Sequence, residues 1–179
     1  MKELYCPLLL PVDPFKNFNK IKFIKKRQEI LEHNTLSDEY FDFLNKLNIK
    51  LNHIEIFVSV PNKYYAIHKD QHDKDDFPKL NFIFDGRGSK MNWYKPKETC
   101  LPNLLITDVG SPFISYELQD VDLIFSHEIH SPSLVQAGVP HNVTSPTLRW
   151  AVSTVYMSKD NKLFTWEEIL CVFKDYIID

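Results

Sequence analysis

His68 and Asp70 are separated by a single residue, His141 lies far downstream in Val139-Pro140-His141, and Arg149 follows it closely. Two imidazoles and one carboxylate are the donor set of a facial iron(II) site, and a guanidinium nearby suits an anionic co-substrate. Residues two apart on a strand project to the same face, so His68 and Asp70 can converge on one ion. His72 continues the alternation as a rival ligand. Four residues of extended chain span about 13 Å, however, and each ligand atom sits about 2.1 Å from a metal, so a straight strand keeps His68 and His72 from sharing an ion. His141 is the better third ligand. Pro140 fixes the chain before it, and Asn142-Val143-Thr144 is extended in character, which predicts a strand.

The segment from Leu148 to Tyr156 gives separate support. One face reads Leu148, Trp150, Val152, Thr154, Tyr156, and the other reads Arg149, Ala151, Ser153. Large residues on one side predict packing outward, and small ones predict room inside for a ligand carboxylate. The guanidinium forks to two oxygens, and the Ser153 hydroxyl can donate a third hydrogen bond. Ser145-Pro146-Thr147 predicts a turn that places the strands of His141 and Arg149 side by side.

The elements that must position these residues follow from composition and periodicity. A chain of 179 residues with 44% hydrophobic and 13% aromatic content can bury a substantial core and predicts a single domain. Its net charge of -3 lacks the basic footprint that phosphate backbones demand, so nucleic acid is not expected as a partner. The densest basic stretch, Lys16 to Arg27, interleaves lysines with Phe18, Ile21, Phe23 and Ile24 and reads as an amphipathic helix with a solvated basic face. Cys6, Cys100 and Cys171 stand in no metal-ligand spacing and fit a reducing compartment. The apolar run near the N-terminus is short and broken by proline, and no window approaches a membrane span. The expected location is cytoplasmic, with no membrane contact.

Residues 18 to 33 read as helical, and Ser37 caps a second helix opened by Asp38 and Glu39 and followed by Phe41, Phe43, Leu44 and Leu47. Strands are expected over 51–60 and near 64–68, 80–85, 104–108, 113–118, 121–125, 133–137 and 148–157. Thr165-Trp166-Glu167-Glu168 is a capping box for a terminal helix. The predicted fold is mainly β with flanking helices: N-terminal helices over about 18–48, a double-sheet jelly-roll core over about 51–157 and a C-terminal helix over about 165–177. A lipocalin-like barrel and a generic α+β sheet are the alternatives.

Other motifs carry less. His127-Glu128-Ile129-His130 has one residue too few between its histidines for the zinc-protease spacing and reads as loop or surface. Asp85-Gly86-Arg87-Gly88-Ser89-Lys90 has the chemistry of a hairpin turn. The polar run from Lys69 to Asp76, which includes His72 and Asp73, predicts a solvated loop over the site. Trp93 and Tyr94 are candidate substrate-lining residues, with a packed aromatic pair as the alternative. Met91 and Cys100 read as packing.

His68-x-Asp70, Leu80-Asn81-Phe82, Trp93-Tyr94, Val139-Pro140-His141-Asn142-Val143 and Arg149-x-Ala151-x-Ser153 together resemble the 2-oxoglutarate and iron(II)-dependent oxygenase superfamily. The chain is most similar to the short single-domain members found in phages and bacteria, related to prolyl and aspartyl/asparaginyl hydroxylases. The resemblance covers residues 60 to 157. It implies a double-stranded β-helix and a reaction that couples oxidative decarboxylation of 2-oxoglutarate by dioxygen to hydroxylation of a small-molecule or peptide substrate. It also implies His68, Asp70 and His141 as iron(II) ligands, Arg149 as the anchor of the distal carboxylate of 2-oxoglutarate, Ser153 as its assistant and Asn81 as a co-substrate neighbour. One departure stands out: many members place the assisting serine two residues after the arginine, where this chain has Ala151. The rival readings are a cupin-type metal enzyme that does not use 2-oxoglutarate, and a jelly-roll binding protein without turnover.

Overall fold

A computed structural model describes residues 3–178 apart from 17, 26, 71–74, 108, 130 and 131. His72, Asp73 and His130 lie outside the described residues. In chain order the elements are β1 (Tyr5–Pro7), β2 (Gln28–Ile30), α1 (Asp38–Lys46), β3 (Ile49–Ser59), β4 (Ile67–Asp70), β5 (Pro78–Asp85), β6 (Lys90–Pro96), β7 (Asn103–Ile106), β8 (Pro112–Tyr116), β9 (Val121–Glu128), β10 (Ser133–Gln136), β11 (His141–Thr144), β12 (Arg149–Ser158) and α2 (Trp166–Val172). The strands form two six-stranded antiparallel sheets, ordered β1-β10-β5-β12-β3-β2 and β7-β8-β4-β11-β6-β9. From β3 to β6, and again from β9 to β12, each successive strand lies in the other sheet.

The two helices start where their caps predict. The Ser37 side chain accepts the Tyr40 amide at the start of α1, and Thr165 and Glu168 form a reciprocal capping box on α2. Both helices cover the outer face of the first sheet. Tyr40, Phe43 and Leu44 of α1 and Trp166, Ile169 and Phe173 of the C-terminal segment share one core cluster with Trp150, Val152 and Tyr156 of β12. The bulky face of β12 thus packs outward under helices, as its alternation predicts. Arg149, Ala151, Ser153 and Val155 turn inward to a cavity between the sheets.

Four expectations are corrected. Residues 18–33 are not a helix: Asn19 caps a single 3-10 turn over Lys20–Phe23, and the chain then extends into β2 against β3. Pairing the open edge of β3 outweighs the weak helical preference of the segment, and Phe18 stacks on Phe23 and packs at a tilt against Phe84 instead of lying on a helix face. The Asp85–Lys90 segment is no hairpin, because β5 and β6 belong to different sheets. Its left-handed Asp85, Gly86 and Gly88 carry the chain around a corner between them. Likewise β11 and β12 are not neighbours in one sheet, so residues 145–147 cross the sandwich. His127 and Glu128 end strand β9 rather than lying in a loop. Among the described residues no helix is long and apolar enough to cross a membrane.

Candidate functional site

Antiparallel pairing of β4 with β11 sets His68 directly opposite His141, and Asp70 lies two residues along on the same face as His68. The imidazole centroids are 4.5 Å apart, and His68 Nε2 lies 3.6 Å from Asp70 Oδ1. One donor atom from each of the three residues falls within 4.8 Å of the others. Side-chain rotation closes this to the roughly 3 Å between neighbouring donors on an ion with bonds of about 2.1 Å.

The backbone fixes both imidazoles for ligation. His68 Nδ1–H donates to Ala66 O at 3.0 Å and His141 Nδ1–H to Val139 O at 2.8 Å. A carbonyl only accepts, so each Nδ1 carries a proton, and Nε2 is the nitrogen left to each ring for a ligand. Burial, helped by His68, lowers His141 to about 4 and leaves it neutral at physiological pH. Burial alone would raise Asp70, but Lys79 foremost, then His68 and His141, hold it well below the usual carboxylate range. His141 and Asp70 are therefore in the protonation states that a divalent cation needs.

The strands bearing the triad are themselves anchored. Asp70 N donates to Ala137 O, and Ala137 N and Gly138 N both donate to Phe77 O. This ties the approach to His141 to the chain just after Asp70. A Cβ on Gly138 would lie 2.5 Å from Phe77 N, so only glycine permits that approach. Beside His141, the buried Asn142 accepts from Asn92 and from the Tyr94 hydroxyl and donates to Tyr65 O, which clamps β11 between β6 and the chain before β4.

Arg149, only 3% exposed, lines the same cavity of about 500 Å³. Among the described residues it has no ion-pair partner, and burial lowers it to about 10. Ser153 and Asn81 face each other across β12 and β5, and both line the cavity. The serine hydroxyl donates to Asn81 Oδ1 at 2.5 Å, so it orients the amide and does not itself extend toward Arg149. Trp93 and Tyr94 do not line the cavity. Trp93 is fully buried and donates to Gln136 O, and Tyr94 packs with Ile67, Tyr116 and Val121, so the packed reading of this pair is the correct one.

Sequence reasoning missed a charged wall on the first sheet. Lys79 Nζ lies 2.8 Å from Asp70 Oδ2 and 3.6 Å from Glu55 Oε1, and His53 Nε2 lies 2.9 Å from Glu55 Oε1. The available signal was Lys79 two positions before Asn81 on the inward face of an apolar strand. The aromatic edge of the site, Phe113 against His68, comes from β8, whose pairing with β4 is not readable from periodicity. Compared with protein-family models, curated proteins and solved structures, the chain gives no match.

Proposed function

We propose that this protein is a non-haem iron(II), 2-oxoglutarate-dependent oxygenase on a double-stranded β-helix, which hydroxylates a small molecule or a peptide side chain. The observation that carries the reading is the buried, unpaired Arg149 in the same cavity as the His68-Asp70-His141 triad. An uncompensated buried cation is costly unless an anion completes it, and a carboxylate matches its two-pronged fork. The alternation of strands between sheets supports the winding of a double-stranded β-helix, on which β7 and β8 would be additions beside β4.

Charge bears on the ligands. Among the described residues the cavity carries Asp70 and Glu55 against Arg27, Lys79 and Arg149, an excess of one positive charge with His141 neutral. An anionic co-substrate suits that excess. His68, Asp70 and His141 would hold the ion, and Arg149 would hold the distal carboxylate of the co-substrate beside the amide of Asn81. Iron(II) with 2-oxoglutarate and dioxygen supplies the oxidising power for hydroxylation. Met91, Val135, Val143 and Val155 form an apolar part of the cavity wall.

Anaerobic addition of iron(II) and 2-oxoglutarate is expected to give a visible charge-transfer band, followed by succinate on exposure to air. His141→Ala should abolish metal binding. Arg149→Ala should spare the metal and weaken 2-oxoglutarate. A folded protein that binds iron but gives neither band nor succinate is a metal enzyme or binding protein of another kind.

A further inference from the structure

Among the described residues Lys79 is the one lysine on the cavity wall, and it is 7% exposed. It belongs to β5 in the first sheet, whereas Asp70 belongs to β4 in the second, so their 2.8 Å contact bridges the sandwich. The lysine is fixed from behind. Glu55 Oε1 lies 3.6 Å away, Glu55 itself is held by His53 and Gln28, and the ammonium sits 5.5 Å from the centre of the Phe57 ring. Its contacts divide the two oxygens of Asp70 between two tasks. Oδ2 accepts from Lys79, and Oδ1 lies toward His68 Nε2.

Resting on the metal-site reading above, we infer that Lys79 is a positioning residue that holds Asp70 Oδ2, so that the carboxylate meets the metal through Oδ1 alone and three coordination positions stay open. A carboxylate free of such a donor can swing to bind through both oxygens, which fills one of those positions. A chelating co-substrate and dioxygen require all three. The role differs from general support of the fold, because it sets how many positions on the ion exchange with solvent.

Manganese(II) tests this without turnover, since water-proton relaxivity per bound ion scales with the number of coordinated waters. With wild type, relaxivity should correspond to three waters. In Lys79→Met, with no donor left on Oδ2, it should fall by about one third, the loss of one open position from three. Lys79→Arg retains a cationic donor and should restore the wild-type value. A folded Lys79→Met protein that no longer retains manganese, while Lys79→Arg does, supports the same conclusion, because the carboxylate then no longer faces the ion. Should Lys79→Met fail to fold, the double variant Lys79→Met/Glu55→Leu removes both buried charges and takes its place in the measurement. Unchanged relaxivity in folded, manganese-loaded Lys79→Met overturns the role of Lys79. Failure of wild type to bind manganese, iron or cobalt overturns the metal site itself, a distinct result.

Discussion

Arg149 and Glu55 are both buried charges in one cavity, and their surroundings differ in kind. Among the described residues Arg149 forms no ion pair, its cross-strand neighbour Asp85 being paired with Lys20, whereas Glu55 is met by Lys79, His53 and Gln28. Burial pushes the Glu55 carboxyl up, but Lys79, the adjacent His53 and the hydrogen bond from Gln28 outweigh it and bring it from 4.5 to about 2. A carboxyl lowered in the folded state stabilises the protein above its unfolded value, and that contribution disappears as pH falls through the folded one. Over the window from 4.5 to 2 this amounts to about 3 kcal/mol. The gap in urea stability between wild type and Glu55→Gln should therefore be constant from neutral pH to about 5 and narrow below it. A gap that stays flat down to pH 2 would show that Glu55 is not held by this network.

At the scale of elements, the inner face of β12 is shaped by the corner between β5 and β6. Gly86 has φ +72°, and a Cβ there would lie 2.7 Å from both Cβ and Cγ of Arg149. The corner thus requires glycine twice over, for its left-handed backbone and for the passage of the arginine stem. Gly86→Ala should cost about 1–3 kcal/mol of stability and displace the guanidinium. Calorimetric titration should find weakened 2-oxoglutarate binding with metal affinity retained. Equal loss of both ligands would mean that the corner supports the whole cavity and not the arginine alone.

At the scale of the molecule, the candidate site is divided between the two sheets. The triad stands on β4 and β11, and Arg149, Asn81, Ser153, Lys79 and Glu55 stand on β3, β5 and β12. A ligand that binds the folded sandwich and not the unfolded chain should stabilise it as a unit. Cobalt(II) at 100 times its dissociation constant should add about 2.7 kcal/mol, a rise in melting temperature of roughly 5–10 °C for a domain of this size. Chelation with EDTA should reverse the rise, and His141→Ala should not show it. A melting temperature indifferent to cobalt in wild type would contradict the site.

The sequence by itself determined the local features. Spacing of two on a strand put His68 and Asp70 on one face, alternation on β12 sorted Trp150 and Tyr156 from Arg149 and Ser153, and Ser37 and Thr165 announced the helices through their caps. Each of these depends on neighbours within a few residues, where side-chain direction follows from backbone period. Tertiary structure alone decided what crosses between segments: the pairing that sets His68 opposite His141, the corner at Gly86 and the placing of β11 and β12 in opposite sheets. It also turned residues 18–33 from an expected helix into a turn and an edge strand, and it buried Trp93 and Tyr94 away from the cavity. Lys79 shows the reason most plainly. Its partners Asp70 and Glu55 lie on other strands, and only the pairing of strands within the first sheet and its stacking on the second bring the three charges together.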